Sequence, residues 1–314
     1  MKKPLPQYKN DFLQWLAVEK GLSSKTQENY SRFLKRFFNW LKIKKLENLK
    51  PEELTLDHVR EYRAYLATQR SPKTDQDLKK STQNYYLIAL RSLLSYFADM
   101  DIPCLSVEKI KLAKNRDERQ ISFLNLEQLE KLLQAPDIKS YSGLRDRAML
   151  EILFSTGMRI SELINLNRNQ FKIKPETKEL EISIIGKGGR LRTVYFSERA
   201  LLWLKKYLKT RDDKDEALFI NYRGRKDAPK RLTARGFEKR LKKYVIASGV
   251  PINTTPHSLR HTFSTDLLNK GVDIRTLQEF LGHKSILATQ IYAHVTNKRL
   301  REIHKKYHSG KDLN

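Results

Sequence analysis

Apolar side chains recur every three or four residues through much of this chain, the spacing of helices that bury one stripe. Tyr30, Phe33, Leu34, Phe37, Phe38 and Leu41 form one wide stripe, preceded by Ser24 and Gln27 in the arrangement of a capping box. Residues 55–68 repeat the pattern, with Val59, Tyr62 and Leu66 inward and Thr55 or Asp57 as N-cap. Tyr86, Leu90, Leu93, Leu94 and Phe97 make a third stripe. With a helix over residues 5–20, the pattern predicts a four-helix bundle in residues 1–100. Residues 69–80 are polar, contain Pro72 and read as a loop.

Periodicity fades over residues 101–120, which hold Pro103 and five basic residues and read as a linker. A second domain, 121–314, opens with a helix carrying Leu126, Leu129, Leu132 and Leu133. A long helical stretch over 144–165 is interrupted at Gly157. Alternating apolar residues then predict two strands, Leu180–Ile185 and Leu191–Phe196, joined by Gly186, Lys187, Gly188 and Gly189 as a hairpin. The remainder is expected to be helical to about residue 307, with a break at 251–256. The fold class is therefore mainly α, a helical bundle followed by a mostly helical domain with a small antiparallel sheet.

The 314 residues, 39% hydrophobic, are enough for one large core or two ordinary ones. No apolar run approaches the ~20 residues of a membrane span. The opening MKKPLPQYKNDF has no apolar stretch of a signal peptide. A lone cysteine, Cys104, leaves no internal disulfide and no cysteine zinc cluster. A cytoplasmic protein without a membrane is expected.

Charge adds a partner class. Lysine and arginine number 62 against 36 acidic residues, a net charge of +26. Residues 1–117 carry 23 basic and 14 acidic side chains and the rest 39 and 22, so both parts are basic. Such a field favours a polyanion. On the first domain, Lys25, Arg32, Lys35, Arg36, Lys79, Lys80 and Arg91 are candidates for phosphate contacts.

Six residues supply chemistry suited to a phosphodiester: Arg159 in TGMRISEL, Lys187 in GKGGR, His257 and Arg260 in HSLRH, His283 in LGHKS, and Tyr292 in TQIYAHV. Guanidinium forks match two non-bridging phosphate oxygens and stay charged. Arg159 and Arg260 suit the roles of clamp and transition-state stabiliser. Glu162, one helical turn past Arg159, can hold that guanidinium. Lys187 sits between glycines at a hairpin tip and can protonate a leaving oxygen. GKGGR is not a phosphate-binding Walker loop, because Gly188 stands where Ser or Thr is needed. Four of the seven histidines, His257, His261, His283 and His294, fall close together. No HExxH motif or cysteine or carboxylate cluster completes a metal shell, so no metal is expected.

The order and surroundings of these residues resemble the tyrosine recombinase, or phage-integrase, family over the C-terminal two thirds. Length and the N-terminal third are most similar to its Xer subgroup. The resemblance implies a SAM-like core-binding domain followed by the catalytic domain, closing around DNA as a clamp. It places His257 beside Arg260, and His283 at the second histidine position against the scissile phosphate. Tyr292, nine residues past His283, takes the place of the nucleophile. A phenol of pKa ~10 needs the neighbouring cations to favour its phenolate.

The implied reaction forms a 3′-phosphotyrosyl link, frees a 5′-hydroxyl and passes through a Holliday junction, without ATP, metal or other cofactor. The implied partners are a double-stranded DNA site and a homo-tetramer on two sites. A paralogue and a septal DNA translocase that activates the enzyme are further partners of many Xer systems. The implied role is chromosome dimer resolution, tied to chromosome partition and cell division. The tail VTNKRLREIHKKYHSG is similar to the Xer tail helix that packs into a neighbouring protomer. Lys284, Leu287 and Ala288 depart from the usual pattern and leave an integrase of a mobile element as the alternative. A type IB topoisomerase-like nicking enzyme and a catalytically silent DNA-binding accessory protein are the other readings.

Overall fold

The computed structural model describes residues 3–71, 75–113, 123–174, 176–186, 189, 191–222, 230–282 and 289. The chain divides into two compact units, Met1–Glu118 and Arg119–Asn314.

The first unit is all helical. A 3-10 turn, Leu5–Tyr8, leads into α1 (Lys9–Val18), followed by α2 (Ser24–Ile43), α3 (Leu56–Ala67) and α4 (Lys80–Asp99). The predicted stripes face inward, with Leu34, Phe37, Leu41, Val59, Tyr62, Leu66, Leu90, Leu93, Leu94 and Phe97 all buried. Aromatic rings fill the centre. Phe37 meets Tyr62 edge-on at 5.0 Å between ring centroids, and Phe12 meets Tyr96 at 6.0 Å. Thr55 caps α3, its hydroxyl accepting from the His58 N–H at 3.3 Å. The expected box at Ser24 and Gln27 does not form. Ser23 is the N-cap of α2, and the Gln27 amide instead donates to the Leu22 carbonyl at 2.7 Å.

The segment after α4 lies along this bundle. Ile110 is fully buried, Arg91 donates to its carbonyl at 3.2 Å, and Asn84 exchanges two hydrogen bonds with Ala113.

In the second unit, α5 (Leu126–Gln134) is capped by Asn125, which accepts from the Gln128 N–H at 2.8 Å. Leu126 sits in its first turn at 62% exposure, outside the stripe expected to hold it. The next helix, α6 (Tyr141–Thr156), is buried on nearly all sides and is the axis of the unit. It packs against α8 (Glu198–Leu208), α10 (Pro256–Asn269) and the strand Leu191–Phe196. Short α7 (Ile160–Ile164) follows it, and α9 (Ala234–Ser248) and α11 (Ile274–Leu281) complete the described helices. Strands β1 (Leu180–Ile185) and β2 (Leu191–Phe196) pair antiparallel, Leu180 opposite Phe196 and Ile185 opposite Leu191, with the bounds that alternation predicted. Ile182, Ile184, Val194 and Phe196 enter the main core.

The described residues after α8, 209–222 and 230–233, are not helical, against expectation. Arg211 holds Asp213 and donates to the Ala217 and Leu218 carbonyls at 3.0 and 2.7 Å, giving this backbone non-helical partners. Ala217 and Ile220 form bridges to Asn167 and Arg231. Among the described residues, no helix is long and apolar enough to cross a membrane.

Burying α6 also buries its charges. Asp146, fully buried, accepts from Arg145 at 2.8 and 2.6 Å, from the Tyr244 hydroxyl at 2.6 Å and from Arg240. This pins α9 to α6 and holds the Tyr244 hydroxyl above the usual phenol range, through burial and then the adjacent carboxylate. Asp146→Ala should destabilise the second unit by ~3–5 kcal/mol, because it strands buried Arg145 without a counter-charge. Denaturant unfolding followed in the two units separately checks this: the second transition moves and the first does not.

Candidate active site

Helix α6 ends where Gly157 turns left-handed at φ 59°. A side chain there is excluded twice, since a Cβ would lie 2.4 Å from the Phe263 ring. The turn sends Met158 into the core and leaves Arg159 as N-cap of α7, its side chain 27% exposed. Arg159 is anchored to Glu162 twice. Its backbone N–H donates to Oε2 at 2.7 Å and its Nη1 to Oε1 at 2.9 Å. From β2, Arg192 grips the same carboxylate end-on, Nη1 to Oε1 at 3.0 Å and Nη2 to Oε2 at 2.8 Å. Burial would raise the Glu162 pKa, but the hydrogen bonds from Arg192 and Arg159 outweigh it and bring it down to about 2.

The second arginine arrives on α10. Thr255 caps that helix, accepting from the Ser258 N–H at 3.3 Å, and Pro256 occupies its first turn. His257, Arg260 and His261 follow within two turns. Arg260 is 2% exposed and ties two chain ends together, Nη1 donating to the Gly157 carbonyl at 2.7 Å and Nη2 to the Leu281 carbonyl at 2.8 Å. The arginine turn, the start of α10 and the end of α11 therefore meet at one point. His257 lies in the field of both arginines. Burial, then Arg260 and Arg159, lower its pKa below 6.5. The His261 ring stands edge-on to it at 4.7 Å, and burial, His257 and Arg260 push its pKa down to about 4. Both imidazoles are thus neutral at pH 7.

Two guanidiniums, Arg159 and Arg192, hold the Glu162 carboxylate, and a third, Arg260, binds the carbonyl of the glycine at the same turn, so positive charge exceeds negative here. Among the described residues, no group of three or more His, Cys, Asp or Glu is placed to hold a metal.

The structure brings together Arg159, Glu162, His257 and Arg260. Lys187, His283 and Tyr292 lie outside the described residues, as does the expected tail helix. Their nearest described neighbours in sequence are Gly186 and Gly189, joined by a hydrogen bond of 3.2 Å, for Lys187, Gly282, the left-handed cap of α11, for His283, and buried Thr289 for Tyr292.

On the first unit, Lys25, Arg32, Lys35, Lys79 and Lys80 are exposed. Arg36 and Arg91 are half-buried and turned inward. Arg36 donates to the Tyr86 hydroxyl at 3.0 Å and to Gln69 at 3.2 Å, and Arg91 to the Ile110 carbonyl. Sequence reasoning overlooked Arg192. Its signal was available: strand alternation puts a charged residue in phase with buried Val194 and Phe196.

Comparison with known proteins accounts for this arrangement. A model of the phage integrase family matches residues 122–299, and one of the phage integrase N-terminal SAM-like domain matches residues 10–103. Tyrosine recombinase XerD of Listeria monocytogenes is 34% identical over 309 residues, covering 95% of this chain and 97% of that protein. Tyrosine recombinase XerC of Natranaerobius thermophilus is 35% identical over 312 residues, covering 95% and 97%. The crystal structure of XerH site-specific recombinase bound to palindromic difH substrate shares the fold, with a TM-score of 0.74 at 22% identity over 100% of each chain. The arginine turn, the capped histidine helix and the basic helical bundle thus belong to a member of the phage integrase family, in its tyrosine recombinase branch.

Proposed function

We propose that this protein is an Xer-type site-specific DNA recombinase, cutting and rejoining DNA through a 3′-phosphotyrosyl intermediate at Tyr292. The observation that carries the reading is the meeting of Arg159 and Arg260 at one turn, each oriented by fixed partners, with neutral His257 beside them. Two preset guanidiniums can take the two non-bridging oxygens of a phosphodiester and stabilise the charge that grows there. The relatives' names, over 95% of the chain, support the Xer assignment.

In the proposed cleavage the Tyr292 oxygen forms its bond to phosphorus as the bond to the 5′-oxygen breaks. The phenol proton passes to His257, whose lowered pKa keeps it able to accept. The leaving 5′-oxygen takes a proton from Lys187, and His283 hydrogen-bonds the phosphate. Rejoining is the reverse, with the hydroxyl of a partner strand as nucleophile. The phosphotyrosyl bond conserves the phosphodiester energy, so the chemistry requires no nucleotide hydrolysis. Exchange between two sites calls for four protomers and a Holliday junction. Chromosome dimer resolution in the cytoplasm, with a paralogue and a septal translocase as partners, is the biological role proposed. Exposed Lys25, Arg32, Lys35, Lys79 and Lys80 serve as backbone contacts, which position the protein without reading sequence.

A nicked suicide substrate carrying a dimer-resolution site tests the reading in the presence of EDTA. The parent should form a covalent adduct, and Tyr292→Phe should bind equally and form none; an adduct from Tyr292→Phe would refute the assignment. Arg159→Ala should slow adduct formation by ~10²–10³-fold, about 3–4 kcal/mol of transition-state stabilisation. As pH falls through the lowered His257 pKa, below 6.5, the imidazole takes up a proton and cleavage should slow. His257→Asn should be slower and lack that acid limb; an unchanged limb would place the titrating group elsewhere.

A further inference from the structure

Arg192 is an expensive residue to bury. It is 9% exposed on the inward face of β2, where its neighbours Val194 and Phe196 are apolar. A buried ion pair often adds less stability than an apolar side chain of similar volume would. Its Nε is buried with no hydrogen-bond partner among the described residues. Core stability is therefore a poor reason for an arginine here.

Its contacts suggest another. Both terminal nitrogens lie on Glu162, one per carboxylate oxygen, at 3.0 and 2.8 Å. That grip fixes the plane of the carboxylate. The opposite edges of the same oxygens are then presented to Arg159, which uses one for its backbone N–H and the other for Nη1. Without Arg192 the carboxylate could rotate about its last bond, and Arg159 with it. The stem of Arg192 also runs under Gly282, where a Cβ would lie 2.8 Å from its Cδ. The end of α11 and the carboxylate are thereby built around one side chain.

We propose that Arg192 is a positioning residue for strand cleavage, acting through Glu162 to hold the Arg159 guanidinium in the orientation that receives the scissile phosphate. This rests on the reading of Arg159 as a phosphate clamp. Arg192 does not touch the phosphate. Lysine cannot replace it, because an ammonium offers a point charge rather than a planar fork.

The test measures single-turnover adduct formation at saturating protein, half-site affinity and melting temperature for Arg192→Ala, Arg192→Lys, Glu162→Gln and the Arg192→Lys/Glu162→Gln double variant. Arg192→Lys retains a positive charge beside Glu162, so it carries the test should the alanine variant fail to fold. The expected result is adduct formation slowed by ~10–100-fold in Arg192→Lys, with half-site affinity within about twofold of the parent. The double variant should be no slower than its slower single, the mark of two residues acting as one unit. Three results would overturn the proposal: a parental rate in Arg192→Lys, effects that multiply in the double variant, or affinity lost in step with rate. Arg159→Ala run alongside separates the two readings. If it cleaves at the parental rate, the clamp assignment fails; if it is slow while Arg192→Lys is not, only the positioning role fails.

Discussion

A carboxylate shared by two guanidiniums is the constraint on which this site depends. Glu162 is nearly buried, and burial alone would push it toward its neutral form. Four N–H groups from Arg159 and Arg192 hold it ionised instead, with a pKa of about 2. Arg192 and Glu162 are both buried and tolerable there only as a pair; removing either would leave a buried ion without that partner. The arginine turn is therefore held by groups of the protein itself.

The rest of the second unit serves that turn. Gly157 ends α6 at a backbone angle other residues resist, and Phe263 fills the space where a side chain would go. Arg260 bonds the carbonyl of that same glycine and the last carbonyl of α11, so three elements are held by one buried guanidinium. Helix α6 carries its own buried charges, Asp146 and Glu151, each satisfied by one arginine of α6 itself and one from a neighbouring helix. Fixed donors aimed at developing charge need no reorganisation during reaction, which is what electrostatic catalysis of phosphoryl transfer requires. The first unit presents exposed Lys25, Arg32, Lys35, Lys79 and Lys80 around an aromatic core.

Much of this was legible in the chain. The strand bounds, the break at Gly157, the cap at Thr55 and the inward stripes follow from local periodicity, which depends on few competing partners. Arg159, His257 and Arg260 stood out by motif, and the structure brings them together. Less legible features have tertiary causes. Ser24 looked like a cap, yet Gln27 found the Leu22 carbonyl and Ser23 took the position. Leu126 continued a stripe by spacing but falls in a first turn that faces water. The non-helical course of residues 209–222 is held by Arg211, whose carbonyl partners no local pattern announces. Arg36 and Arg91 resemble the exposed cations around them in sequence, although both guanidiniums turn inward. Arg192 was the opposite case: alternation marked it as buried, and only its pairing with Glu162 gives the reason.

The claim that the clamp is set before DNA binds can be measured on arginine side-chain nitrogens by NMR in the free protein. Arg159 and Arg192 should show slow rotation about their Cζ–Nε bonds and resolved terminal nitrogens, and Glu162→Gln should abolish this for both. Fast averaging of the Arg159 nitrogens in the free protein, equal to that of exposed Arg32, would contradict it and mean that the substrate, not the fold, orients this guanidinium.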